Sequence, residues 1–328
     1  MIERPRRNRK SPAVRAWARE TSLGVEHLIS PLFVTDKASL KEEIPSLPGR
    51  FRLGLDDLLR QTEASMELGI RSFVLFPAVD EALKDKTATY SHDRDNFYLR
   101  YIRAVKERFP ECVLMSDVAM DPYSSDGHDG YVEDGKILND PTLEILAEMS
   151  VAQAKAGIDV IGPSDMMDGR VEKIRTALDR EGHSEVSIMS YTAKYASAFY
   201  GPFREALDSA PKGGDKKTYQ MDPANRAEAL REAALDEAEG ADILMVKPAL
   251  SYMDVIAALA ENTALPVAAY NVSGEYAMLK AAAERGWLNE DAAVCEMLLS
   301  LRRAGAKVIL TYWAEHFAQL MKDGYVYH

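Results

Sequence analysis

The chain has 328 residues, 47% of them apolar, and sets 40 lysines and arginines against 52 aspartates and glutamates for a net charge of −12. That length suits one large α/β barrel or two ordinary domains, with apolar residues enough for a sizeable core. The acidic balance excludes a general nucleic-acid binder, which needs a basic face, and no run of about 18 apolar residues reads as a membrane span.

The first segment, Arg4-Pro-Arg-Arg-Asn-Arg-Lys10, is basic, but no apolar core follows it, so it does not read as a secretory signal. Residues 1–24 read as an arm lying on an acidic neighbouring subunit, ahead of a catalytic domain over 25–328. The two cysteines, Cys112 and Cys295, build neither a disulfide framework nor a thiolate metal cluster. They fit a reducing compartment, and a cytoplasmic location is expected.

Beyond the arm, apolar runs predict strands near 28–34, 72–77, 112–118, 159–163, 186–192, 242–247, 266–272 and 307–312. Helical patterns fall near 57–68, 95–108, 141–156, 168–180, 223–239, 250–261, 275–285 and 290–303. A glycine repeatedly joins a helix to the next strand, as in Leu68-Gly-Ile, Ala156-Gly-Ile, Glu239-Gly-Ala and Ala304-Gly-Ala. A left-handed residue is wanted where a helix ends, and glycine takes that conformation freely. Eight alternating units predict a (β/α)8 TIM barrel. The alternative, an open doubly wound sheet, lacks a Gly-x-Gly-x-x-Gly after any strand. Two insertions, 121–140 with its Asp134-Gly135 turn and 199–222, follow strand C-termini and are candidate lids.

Two lysines close buried strands: Lys194 ends Val186–Lys194, and Lys247 ends Ile243–Lys247. Desolvation lowers a lysine's pKa and frees an amine to attack a carbonyl. Two such lysines suggest Schiff-base chemistry on two carbonyl groups, and their mutual repulsion keeps at least one amine neutral near pH 7. Tyr191, Phe199, Tyr200, Phe203 and Arg204 crowd around Lys194 in sequence.

On the barrel the other strand ends contribute Asp117, Ser164, Asp165, Ser273 and Tyr312 to the same mouth. Arg204 and Lys216 in the second lid suit a substrate carboxylate, or else form surface ion pairs. Ser273 and Tyr312 could hold a second carboxylate by neutral hydrogen bonds, or be ordinary strand ends. Asp117, Asp121 and Asp129 are oxygen ligands suited to Mg2+ or a monovalent cation, or simply turn formers. His128 could be a ligand, a proton donor or a hydrogen-bonded loop residue.

Four segments, Ser190–Arg204, Met245-Val-Lys-Pro248, Pro163–Arg170 and Val272–Met278, together resemble the porphobilinogen synthase (5-aminolevulinate dehydratase) family, over nearly the whole chain. The resemblance implies a (β/α)8 barrel in homo-octamers joined by N-terminal arms. It also implies condensation of two 5-aminolevulinate molecules to porphobilinogen, with loss of two waters, in tetrapyrrole biosynthesis. By resemblance Lys247 and Lys194 form Schiff bases with the substrates that become the propionate and acetate sides. Ser273 and Tyr312 meet the first carboxylate, and Arg204, Lys216 and Gln220 the second. Asp117, Ser164, Tyr191 and Phe203 complete the substrate-binding set.

Zinc-using members carry three cysteines where this chain has Ala119, Asp121 and Asp129, so no zinc is expected. The chain resembles the aspartate-type, magnesium-responsive branch, which implies an allosteric Mg2+ at Glu232 and leaves Asp121 and Asp129 as further candidate ligands. Competing readings are a class I aldolase, which needs Lys247 but not Lys194, and a non-catalytic barrel that binds small acids.

Overall fold

The computed structural model describes residues 1–37, 40–209 and 211–326. Eight parallel strands form its centre: β1 (Leu28–Thr35), β2 (Ser72–Ala78), β3 (Val113–Met115), β4 (Val160–Ile161), β5 (Ser187–Lys194), β6 (Ile243–Lys247), β7 (Val267–Asn271) and β8 (Val308–Thr311). Each pairs with the next, and β8 returns to β1 through Leu28↔Ile309 and Ile29↔Leu310, which closes the barrel. The strands are buried almost throughout, as a sheet covered on both faces requires. The (β/α)8 expectation is met.

Helices Leu55–Glu67, Phe97–Arg108, Asn139–Lys155, Arg170–Arg180, Ala227–Ala238, Met253–Asn262, Ser273–Glu284 and Glu290–Arg303 lie between the strands, each within a few residues of its predicted position. The four junction glycines, Gly69, Gly157, Gly240 and Gly305, all have φ between 95° and 118°. A side chain there would strain the backbone.

Strands β3 and β4 are shorter than the sequence suggested. After Met115 and Ile161 the chains continue side by side only through the bridge Val118↔Pro163, which leaves Asp117 and Ser164 at the mouth rather than in the ladder. The sequence reading also missed the hairpin Lys41–Glu43/Phe51–Leu53, the helix Gly201–Leu207 and the last helix, Ala314–Lys322.

Both insertions sit above the strand C-termini. The first contains the hairpin Tyr131–Glu133/Lys136–Leu138, turned by Asp134 (φ 48°) and Gly135 (φ 75°). The second leans on the first, with the Lys212 N–H donating to Asp126 O at 3.1 Å. The N-terminal residues form a short 3-10 turn, Pro5–Arg9, and a helix, Pro12–Trp17, that bury no side chain, and Trp17 is 82% exposed. No helix among the described residues is long and apolar enough to cross a membrane.

Candidate active site

Lys194 and Lys247 are the last residues of β5 and β6, and the parallel ladder pairs them directly. Strand ends facing the loop side of a barrel converge on one mouth, so adjacent strands deliver both amines to one place. Both side chains are buried.

Their surroundings differ. Lys247 Nζ sits among four aromatic rings, with centroids of Tyr270, Phe203, Tyr191 and Tyr200 at 4.6, 4.9, 5.1 and 5.2 Å. Three of the aromatic residues that crowd Lys194 in sequence, Tyr191, Tyr200 and Phe203, therefore wall Lys247 in space. Burial, reinforced by the charge of Lys194, lowers the Lys247 pKa to about 7. Its amine is substantially neutral near that pH.

Lys194 is held by polar partners. Its ammonium donates to Asp129 Oδ2 at 2.9 Å and to the carbonyl of Ser164. Asp129 Oδ1 accepts from Lys216 Nζ at 2.5 Å, and Lys216 also reaches Asp121 Oδ2 at 3.3 Å. Burial alone would raise the Asp129 pKa, but the two ammonium groups outweigh it and hold the carboxyl below its usual range. Burial opposes the charge on Lys216, and Asp121 and Asp129 together overcome it and raise its pKa. Asp121 and Asp129, expected as further candidate metal ligands, thus lie beside lysines. Both Asp129 oxygens and Asp121 Oδ2 accept from lysine Nζ atoms.

Asp117 is also buried at the mouth. Burial, with Asp121 adding repulsion, raises its pKa to about 7, against the charge of Lys247 and a hydrogen bond from Ser164. Its backbone is clamped, the N–H donating to Tyr98 Oη at 3.3 Å and the C=O accepting from Gln153 Nε2 at 3.2 Å. Tyr191 Oη is buried without a hydrogen-bond partner among the described residues, and burial raises its pKa well above the usual value.

Of the expected carboxylate ligands, Ser273 and Tyr312 are buried and engaged. Ser273 Oγ accepts the Phe203 N–H at 3.0 Å and donates to Phe199 O at 3.4 Å. Tyr312 Oη lies 2.9 Å from Tyr270 Oη. Arg204 is half-buried on the lid helix, and Gln220 is buried in the same lid. His128 anchors the lid, with Nε2 2.8 Å from Gly213 O and Nδ1 3.2 Å from Tyr219 Oη, which matches the loop reading.

Glu232 lies elsewhere. It lines a cavity of about 410 Å3 with Asp168, Asp222, Asn225 and Glu228. Burial raises its pKa, partly offset by Arg170. The lining offers oxygen donors suited to a hard cation. Among the described residues no three His, Cys, Asp or Glu side chains stand close enough to hold a metal alone, so an ion here would keep several waters.

Sequence reasoning missed Tyr270, two positions before Val272, because an aromatic inside an apolar strand reads as core. It also missed Glu275, whose Oε1 accepts the Leu250 N–H at 2.8 Å and whose Oε2 accepts the Val272 N–H at 3.0 Å. That carboxylate ties the loop after Lys247 to the end of β7.

The family described as delta-aminolevulinic acid dehydratase matches residues 2–320. The chain belongs to that family. It is 58% identical over 321 residues to the chloroplastic delta-aminolevulinic acid dehydratase of Physcomitrium patens, covering 97% of this chain and 74% of the relative. It is 54% identical to the chloroplastic enzyme of Chlamydomonas reinhardtii over 94% of this chain and 82% of the relative. The Toxoplasma gondii delta-aminolevulinic acid dehydratase, solved in complex with its product porphobilinogen, superposes with a TM-score of 0.97 at 52% identity, covering 98% of this chain and 92% of that one.

As a delta-aminolevulinic acid dehydratase, the chain condenses two 5-aminolevulinate molecules to porphobilinogen with loss of two waters. The names of the curated relatives place them in the chloroplast, and the cytoplasmic expectation is corrected on that finding. A reducing compartment, all that two unpaired cysteines indicate, is not confined to the cytoplasm.

Proposed function

We infer that Lys247 and Lys194 carry the condensation as paired Schiff-base lysines, with Lys247 reacting first. The observation that carries this reading is the contrast between two register partners. Lys247 is walled by rings and has a pKa lowered to about 7, whereas Lys194 is tied to Asp129. A neutral amine attacks a ketone; an ammonium in an ion pair does not.

Each lysine adds to the ketone of one substrate and expels one water, which accounts for the two waters lost. One new C–C bond replaces the Lys247 linkage, and one new C–N bond replaces the Lys194 linkage, so both amines return unchanged. Asp117, buried near Lys247 and half-protonated near pH 7, is suited to carry protons for these steps. The carboxylate of the Lys247-bound substrate is assigned to Ser273 and Tyr312, and that of the Lys194-bound substrate to Arg204, Lys216 and Gln220. Ser164, Tyr191 and Phe203 complete the walls. The Ser273 hydroxyl serves the lid backbone here and would exchange it for the carboxylate.

Asp121 and Asp129 stand where zinc-using members have cysteines, which favours the aspartate-type, magnesium-responsive branch. A hydrated Mg2+ is assigned to Glu232 as an allosteric ion, and no catalytic step is routed through it. The exposed arm with Trp17 is assigned to self-association, as an octamer. Borohydride reduction with 5-aminolevulinate tests the core of the reading: a trapped adduct on Lys247 supports it.

A further inference from the structure

We propose that Gly274 is a positioning residue, a bare seat on which the lid segment 199–204 closes over Lys247. The proposal rests on the Schiff-base reading only for why closure matters to catalysis. The contact stands on geometry alone.

Gly274 is the second residue of helix Ser273–Glu284, which starts directly after β7. A Cβ built on it would lie 2.5 Å from Phe199 O, 2.8 Å from Phe199 Cα and 2.9 Å from Phe199 C. These are backbone atoms, so no side-chain rotation relieves the clash. Any residue but glycine must move the lid.

The neighbouring contacts show what the seat supports. Ser273 Oγ bonds both Phe203 N and Phe199 O. Tyr200 Oη donates to Tyr195 O at 2.7 Å and approaches Lys247 O at 3.2 Å. The far end of the lid helix is tied to the barrel by Arg52, whose Nε donates to Ala206 O at 2.8 Å. Between these anchors Phe203 and Tyr200 form two of the four rings around Lys247. Arg204 rides on the same helix. Displacing Phe199 would therefore open the wall that desolvates Lys247 and misplace Arg204 together.

Alanine favours a helix over glycine, so Gly274→Ala should leave the barrel intact and disturb the lid selectively. In the full-length protein the variant should melt like the wild type but be cleaved faster within residues 199–222. Its kcat/KM should fall about tenfold to a hundredfold, as loss of positioning does. Water admitted beside Lys247 favours the ammonium, so the acid limb of the pH profile should move to higher pH. A purely structural glycine would lower activity through stability and leave that limb in place. A folded variant with wild-type protease resistance, KM and pH limb overturns the proposal.

Hydrogen exchange on the wild type covers the case of a variant that does not fold. Slow exchange at the Phe203 amide is expected, and exchange as fast as in an open loop overturns the seat. Borohydride trapping on the wild type separates the two readings. Absence of an adduct on Lys247 removes the Schiff-base account, while the protease and exchange results still decide the lid contact.

Discussion

Lys194 and Lys247 are direct register partners on adjacent parallel strands, yet one amine is tied to a carboxylate and the other is enclosed by four aromatic rings. Two chemically identical side chains are thereby given different surroundings, an ion pair at Lys194 and a ring-walled pocket at Lys247 that lowers the Lys247 pKa to about 7. Different environments around two like groups assign them different roles at an active site.

The first expectation concerns pH. Lys247 must lose its proton to attack a ketone, and burial has lowered its pKa to about 7. The acid limb of kcat/KM should therefore lie near pH 7, with activity falling as pH drops through it. Asp117, also near 7, shares that limb. The unfolded lysine keeps its proton up to about pH 10, so this group makes stability rise with pH between the two values. A profile flat from below pH 6 to above pH 8 would contradict the assignment.

Lys194→Ala separates the dehydratase from a class I aldolase mechanism. Porphobilinogen formation should drop by roughly a thousandfold or more, while Lys247 still forms its adduct within its four rings, at a higher pH because the Lys194 charge no longer helps lower its pKa. An aldolase-like enzyme would keep substantial activity. Steady-state assay and adduct mass on the same preparation check this.

Asp129→Asn leaves the ammonium groups of Lys194 and Lys216 without their shared carboxylate. Breaking a buried pair by removing one partner costs about 3 kcal/mol or more, so urea unfolding should shift to lower concentration. The folded Asp129 pKa lies below the unfolded value of about 3.9. Its contribution to stability is full above that value and fades as pH falls toward the folded one. The variant should lose that part of the acid sensitivity.

Glu232→Ala should abolish calorimetrically detectable Mg2+ binding and any stimulation by Mg2+, while leaving a measurable basal turnover. Equal Mg2+ affinity in the variant would move the ion away from this cavity.

The fold was legible because helix, glycine and strand recur, and each glycine answers a local backbone demand. The lysines were legible because a charge at the end of a buried strand needs a reason. Proximity in sequence misled at the aromatics. Tyr191, Tyr200 and Phe203 lie near Lys194 along the chain, but they wall the Lys247 side of the mouth. Asp129 was read as a metal ligand or turn former because its partners, Lys194 and Lys216, are 65 and 87 residues away. Short-range patterns carry helix ends and strand alternation; they do not carry which charge meets which across a barrel mouth.

The most direct measurement is borohydride reduction in the presence of 5-aminolevulinate, above and below the acid limb, followed by peptide mass mapping. The account expects a reduced adduct on Lys247, abundant above the limb and scarce below it. An adduct found first and mainly on Lys194, or on neither lysine, would contradict it.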